Sequence, residues 1–344
     1  MKIKTRVYFN LVGLLMVSVG DVSHGKGIDV RMQRCIEKVK QDLGPLCLEA
    51  PPIYSDALHD FFDYYGLNVE GADHFMGTFV SGPYTNVAHI FIPPECRGTV
   101  LLVHGYYDHS GGWQHVIRHL VKEKYTVAVY DQPGHGLSSG ARASITDFSQ
   151  YVTVVKDVME ICARELVGPY HVVAHSAGCS AVIDHILDAD DARIDRIVLI
   201  APLIRSVAWT VSGVGNFIGG AFFERVPRTF RKNSSDNAYM EFVKEDPLHA
   251  RYVPLKWVDA HRDWCKSITG ANPSERGIKI IQGGEDSTVA WEYNLKFLEQ
   301  KFPQLDVSMV RGGGHQLINE SKSLRQQTLD IITQWLNASE LEPK

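Results

Sequence analysis

The chain has 344 residues, a formal net charge of −5 and 44% hydrophobic residues. That apolar content can bury one large core without a second domain. A net acidic balance with no basic stripe argues against a nucleic-acid partner, and no internal repeat or low-complexity stretch interrupts the chain.

At the N-terminus, Lys2, Lys4 and Arg6 precede the apolar stretch 8–19, and Ser18 and Gly20 stand where a signal peptidase would cut. Residues 1–26 therefore read as a secretory signal or an N-terminal anchor, which makes the chain an exported one, periplasmic or secreted. Residues 27–73 read as a helical extension. Export gives the six cysteines a meaning: Cys162 and Cys179 fall in expected core helices as buried thiols. Cys35, Cys47, Cys96 and Cys265 lie in peripheral segments and allow three pairings.

Strands are expected at 74–80 and 87–92, joined as a hairpin, and then at 99–103, 126–130, 171–174, 196–200, 279–282 and 306–310. From residue 99 onward strand and helix alternate, which argues for a mostly parallel eight-stranded sheet with helices on both faces. The core takes 74–203 and 271–340. The interval 204–270, after the sixth strand, is too long for a loop and reads as a lid over the site.

The expected strand ending at Ala174 runs into His175-Ser176-Ala177-Gly178 and a helix. A serine between small residues at a strand-to-helix turn is a nucleophile elbow, and Ala174 and Gly178 are small enough for the turn. Gly283-Gly284-Glu285-Asp286 follows the seventh strand and Gly312-Gly313-Gly314-His315 the eighth. Serine, then acid, then histidine is the chain order of the α/β-hydrolase fold, distinct from the chymotrypsin and subtilisin orders. Ser176 is the expected nucleophile and His315 the base. Asp286 is the expected acid, with Glu285 beside it as the other candidate. In this fold the oxyanion donors are the backbone N–H after the nucleophile and one from the loop after the third strand, here Ala177 and Tyr106.

That loop, His104-Gly105-Tyr106-Tyr107-Asp108-His109-Ser110-Gly111-Gly112-Trp113, resembles the H-G-x-x-E-H-S-G stretch of monoacylglycerol lipases and bacterial lysophospholipases. Asp131-Gln132-Pro133-Gly134-His135-Gly136-Leu137-Ser138 is similar to their D-x-x-G-H-G-x-S turn. Asp286-Ser287-Thr288-Val289 is similar to their D-x-x-V acid motif, which favours Asp286 over Glu285. Asp246-Pro247-Leu248 and Asn319-Glu320 also fit. Asp108 replaces the family's usual Glu, and Tyr107 stands where a small residue is common. The resemblance, over 75–336, implies a serine carboxylic ester hydrolase acting through an acyl-enzyme on single-chain acyl lipids, without metal or organic cofactor.

The lid holds Trp209, Phe217 and Phe222 in a largely apolar run, suited to an acyl tunnel or to peripheral contact with a membrane surface. Arg225, Arg228, Arg231 and Lys232 follow, positioned either to meet anionic headgroups or to form a solvated face. Three other functions fit parts of this pattern. A small-ester esterase shares the same triad, an aminopeptidase would need carboxylates for the substrate's ammonium group, and an inactive binding module would not need an intact triad. His115 and His119, one helical turn apart, could join His109 at a metal, but no further ligand completes a recognisable set.

Overall fold

The computed structural model describes residues 29–49, 54–209 and 224–338. The stretch expected to be a signal or anchor, and Phe217 and Phe222 of the expected lid, lie outside them. Among the described residues no helix is long and apolar enough to cross a membrane.

Eight strands form one sheet: β1 (Asp73–Ser81), β2 (Tyr84–Ile92), β3 (Thr99–Val103), β4 (Thr126–Tyr130), β5 (Tyr170–His175), β6 (Ile194–Ile200), β9 (Ile278–Gly283) and β10 (Leu305–Val310). Their order is β1-β2-β4-β3-β5-β6-β9-β10. The β1–β2 hairpin and the β2–β4 pair are antiparallel, and every other pairing is parallel. This is the α/β-hydrolase arrangement expected from the alternation of strand and helix.

Strands buried on both sides need apolar residues at successive positions, and β3, Thr-Val-Leu-Leu-Val, is buried throughout. Its residues alternate between two cores. Leu101 and Val103 pack under α4 (Ser149–Glu165) and α5 (Ala177–Ala189), whereas Val100 and Leu102 join α3 (Gln114–Lys122) and α9 (Lys322–Asn337). The extension supplies α1 (Val30–Asp42) and α2 (Asp56–Tyr65), whose Ile36, Phe61 and Tyr65 enter the second core.

Between β6 and β9 the described residues hold β7 (Arg225–Pro227), α6 (Asn237–Glu245), β8 (Tyr252–Pro254) and α7 (Leu255–Thr269). β7 and β8 pair as a separate antiparallel sheet. Cys265, read as peripheral, is instead buried in the first core, because α7 turns Trp257, Trp264 and Cys265 inward together. All six cysteines are free: Cys35 and Cys96 sit within 3.1 and 3.2 Å of the carbonyl oxygens of Ala57 and Gly98.

Asp246, at the end of α6, ties this interval to the core. Its Oδ1 accepts from the Tyr65 hydroxyl at 2.7 Å and the Leu248 N–H at 2.8 Å, and its Oδ2 lies 2.8 Å from His109 Nε2. The Gly111 N–H donates to His109 Nδ1, so the ring's own proton sits on Nε2 and points at the carboxylate. Burial alone would raise the Asp246 carboxyl, but His109, with the Tyr65 hydroxyl, more than reverses this and holds it below the usual carboxylate range. A depressed folded-state value stabilises above the unfolded carboxyl's ~3.9, and that stability is lost as pH falls. Asp246→Asn is expected to lower the unfolding free energy by about 2–3 kcal/mol at neutral pH. In denaturation at several pH values, the gap from the parent should shrink below about pH 4.

Candidate active site

The parallel strands end on one edge of the sheet, and the loops leaving them carry the candidate residues, as open α/β sheets place their sites. Pairing of Val103 with Ala174 sets the loop after β3 beside the elbow after β5, while β9 and β10 are neighbours and deliver Asp286 and His315.

Ser176 has φ 52° and ψ −117°, a strained backbone for a residue with a side chain. Its N–H donates to Ile200 and its carbonyl accepts from Cys179 and Leu203, so the strain is held from both sides. The small neighbours are required. A methyl on Gly178 would stand 2.3 Å from the Val103 carbonyl oxygen, and one on Gly105 would stand 3.0 Å from the Ser176 Cβ.

Ser176 Oγ lies 3.0 Å from His315 Nε2, and His315 Nδ1 lies 2.8 Å from Asp286 Oδ2. A carboxylate only accepts, so Nδ1 carries the proton and Nε2 is the acceptor for the serine hydroxyl. Asp286 also accepts N–H groups from Thr288 at 2.8 Å and Val289 at 3.1 Å, and the Gln282 amide at 3.2 Å. Burial acts to raise its carboxyl, but the His315 ring and the two backbone donors outweigh it and keep the group below the usual range. Glu285 is exposed and Asp286 is buried. The structure therefore brings together Ser176, Asp286 and His315 and leaves Glu285 in solvent.

His175 backs this group. Burial, with His315 next to it, pushes its ring down to about 3, so it is neutral, and its Nε2 donates to the His315 carbonyl at 3.0 Å. Nothing in the motif spacing points to this strut, because a residue between strand and nucleophile reads only as a strand end.

Tyr106 and Ala177 stand beside the serine, Tyr106 following Gly105 and Ala177 opening α5. The first N–H groups of a helix have no partner within it, so the Ala177 N–H is free of the helical ladder. Asp131 braces the Tyr106 loop, its Oδ1 accepting from Ser110 at 2.8 Å and its Oδ2 from Leu137 at 2.7 Å. The Tyr106 hydroxyl donates to Ala143 at 2.7 Å.

The Tyr106 ring lies 3.7 Å from that of Trp257, nearly parallel at 18°. Trp257 continues into His261 at 5.1 Å, Trp264 at 5.6 Å from His261, and Phe148 at 4.8 Å from Trp264. Trp209 packs half-buried against this wall, 5.8 Å from His261, and its carbonyl accepts from Arg262. Sequence reading missed Trp257, His261 and Trp264, although their i, i+4, i+7 spacing puts them on one face of α7 and was the available signal.

His109 does not meet His115 and His119. His119 contacts Thr333 at 2.6 Å, whereas His109 groups with Asp246 and His249, their ligand atoms within 4.8 Å. Hydrogen bonds account for that group, because Asp246 already accepts from Tyr65 and His109, and Arg228 donates to His249.

Residues 94–322, more than half of the chain, match the family described as serine aminopeptidase, S33. The chain belongs to this family. As an S33 α/β-hydrolase it is 30% identical over 255 residues to an uncharacterised abhydrolase domain-containing protein of Dictyostelium discoideum, covering 69% of this chain and 26% of that one. The chain thus spans about a quarter of that relative's length. It is 25% identical over 201 residues to phospholipase YtpA of Bacillus subtilis, covering 55% of this chain and 76% of the relative. A soluble variant of monoglyceride lipase from Saccharomyces cerevisiae, solved with a substrate analog, matches with a TM-score of 0.66. Identity is 18%, over 76% of this chain and 94% of that one, and the likeness is one of fold.

Proposed function

We propose that this S33-family chain is a serine carboxylic ester hydrolase for single-chain acyl lipids, working through an acyl-enzyme on Ser176. The observation that carries it is the Ser176–His315–Asp286 chain of hydrogen bonds at 3.0 and 2.8 Å, beside an aromatic wall. His315 takes the serine proton as Oγ attacks the ester carbonyl, and Asp286 holds the ring and stabilises the imidazolium. The N–H groups of Tyr106 and Ala177 receive the developing oxyanion. His315 returns its proton to the leaving alcohol, and water, activated by the same ring, releases the fatty acid.

An acyl lipid is favoured over a peptide because Tyr106 of the loop after β3 packs on an apolar aromatic cluster, Trp257 and Trp264, buried in the core beside the site. The similarity to a phospholipase and a monoglyceride lipase supports the same substrate class. In this reading, Trp209, Phe217 and Phe222 serve the acyl chain or a lipid surface, and an exported location would put the chain at that surface. The test is hydrolysis of p-nitrophenyl esters from acetate to palmitate alongside aminoacyl anilides. The expected result is a medium- or long-chain optimum and no amine release. An acetate optimum would point to a small-ester esterase, and anilide cleavage to an aminopeptidase.

A further inference from the structure

The aromatic wall does not end at Tyr106. The Tyr107 ring also lies 3.9 Å from Tyr106, tilted by 39°, and the Arg228 guanidinium lies 4.0 Å over Tyr107. Trp257, Tyr106, Tyr107 and Arg228 thus form one stack beside the nucleophile, apolar at one end and cationic at the other. Tyr107 holds its place with φ 70°, a conformation uncommon for a residue with a side chain.

Arg228 contacts the Phe230 ring at 4.5 Å, and its Nη1 donates to His249 Nδ1 and to the Ala250 carbonyl, each at 3.2 Å. Arg251 approaches the same Phe230 ring at 5.1 Å, and its Nε is buried without a partner. Among the described residues neither guanidinium has a carboxylate oxygen within 4.0 Å. Burial pushes both groups down from their ordinary value, but an arginine stays charged. Arg251 feels only the buried carboxylate of Asp246, which His109 and Tyr65 already engage, and Arg228 has no carboxylate beside it, so an added anion would favour this pair.

The segment that carries Arg228 runs along the site. The Asn233 carbonyl accepts from Gln316, next to His315, at 2.9 Å, and the Ser234 hydroxyl donates to Asn319 at 2.8 Å. It therefore spans from the oxyanion loop to the His315 loop.

We propose that Arg228, with Arg251 behind it, is the head-group subsite, and that the substrate is an acyl lipid whose leaving alcohol carries a phosphate. This rests on the proposed function. The apolar end of the stack takes the acyl chain, so the anion falls on the alcohol side, where the planar guanidinium can meet two phosphate oxygens. A neutral glycerol would leave Arg228 without an anionic partner.

The experiment compares kcat/KM for oleoyl lysophosphatidylglycerol, oleoyl lysophosphatidylcholine and monooleoylglycerol in mixed micelles, for the parent, Arg228→Gln and Arg228→Lys, with melting temperatures alongside. The parent is expected to favour the anionic lipid. Arg228→Gln should lower its kcat/KM about 10- to 100-fold more than that of monooleoylglycerol, the loss falling mainly on KM, as for removal of one charged hydrogen-bond donor. Arg228→Lys should restore part of the preference by keeping the charge. Equal losses on anionic and neutral lipids would overturn the proposal and reduce Arg228 to a support for Tyr107. A parent preference for monooleoylglycerol would also overturn it while leaving Ser176 chemistry standing. No turnover of any of the three would remove the lipid-hydrolase reading and this proposal with it.

Discussion

Ser176→Ala is expected to lower ester turnover by about 10⁴- to 10⁶-fold, with the melting temperature within a few degrees of the parent. The magnitude follows from losing covalent catalysis while substrate binding and the oxyanion donors remain. The fold should survive because the backbone restraints on this residue are made by its N–H and carbonyl, which donate to Ile200 and accept from Cys179 and Leu203. The 3.0 Å contact with His315 is the only hydrogen bond of its side chain among the described residues. A variant that kept a tenth of the parent's turnover would move the nucleophile elsewhere.

Asp286→Asn has the second largest expected effect, about 10⁴-fold in kcat, because an amide can donate to His315 Nδ1 and favour the tautomer that cannot take the serine proton. The structure gives this variant a control. Glu285 is adjacent in sequence but exposed, whereas Asp286 is buried and accepts from Thr288, Val289 and Gln282 as well as His315. Glu285→Gln should therefore change kcat by less than about twofold, since a solvated charge away from the site contributes little. Steady-state kinetics on the preferred p-nitrophenyl ester separates the two. If Glu285→Gln gave the large loss, the assignment of the acid would be reversed.

Much of this was legible in the sequence because the signals were local. Central strands such as β3 and β9 were short apolar runs, the last two parallel strands led into Gly283-Gly284 and Gly312-Gly313-Gly314, and the elbow needed small residues at fixed distances from Ser176. The sequence motif favoured Asp286 over Glu285, and in the structure Asp286 is buried 2.8 Å from His315 Nδ1 while Glu285 is exposed. What escaped depends on pairs distant in the chain. The stack of Tyr106 on Trp257 joins residues from two elements with no spacing to link them. The Tyr65–Asp246–His109 cluster joins the extension, the interval after β6 and the loop after β3. Cys265 looked peripheral because it falls in the interval after β6, yet α7 packs that face against the core. His175 sits in a strand-ending position, and only the fold shows its ring under the His315 carbonyl.

The central claim is that Ser176 is the nucleophile, activated by His315. Its most direct test is mass spectrometry of the purified protein after brief exposure to an alkyl fluorophosphonate, with Ser176→Ala and His315→Ala treated alongside. The account predicts one adduct per chain on the peptide containing Ser176, none in Ser176→Ala and a greatly slowed reaction in His315→Ala. An adduct on another residue, or equal labelling of all three proteins, would contradict it.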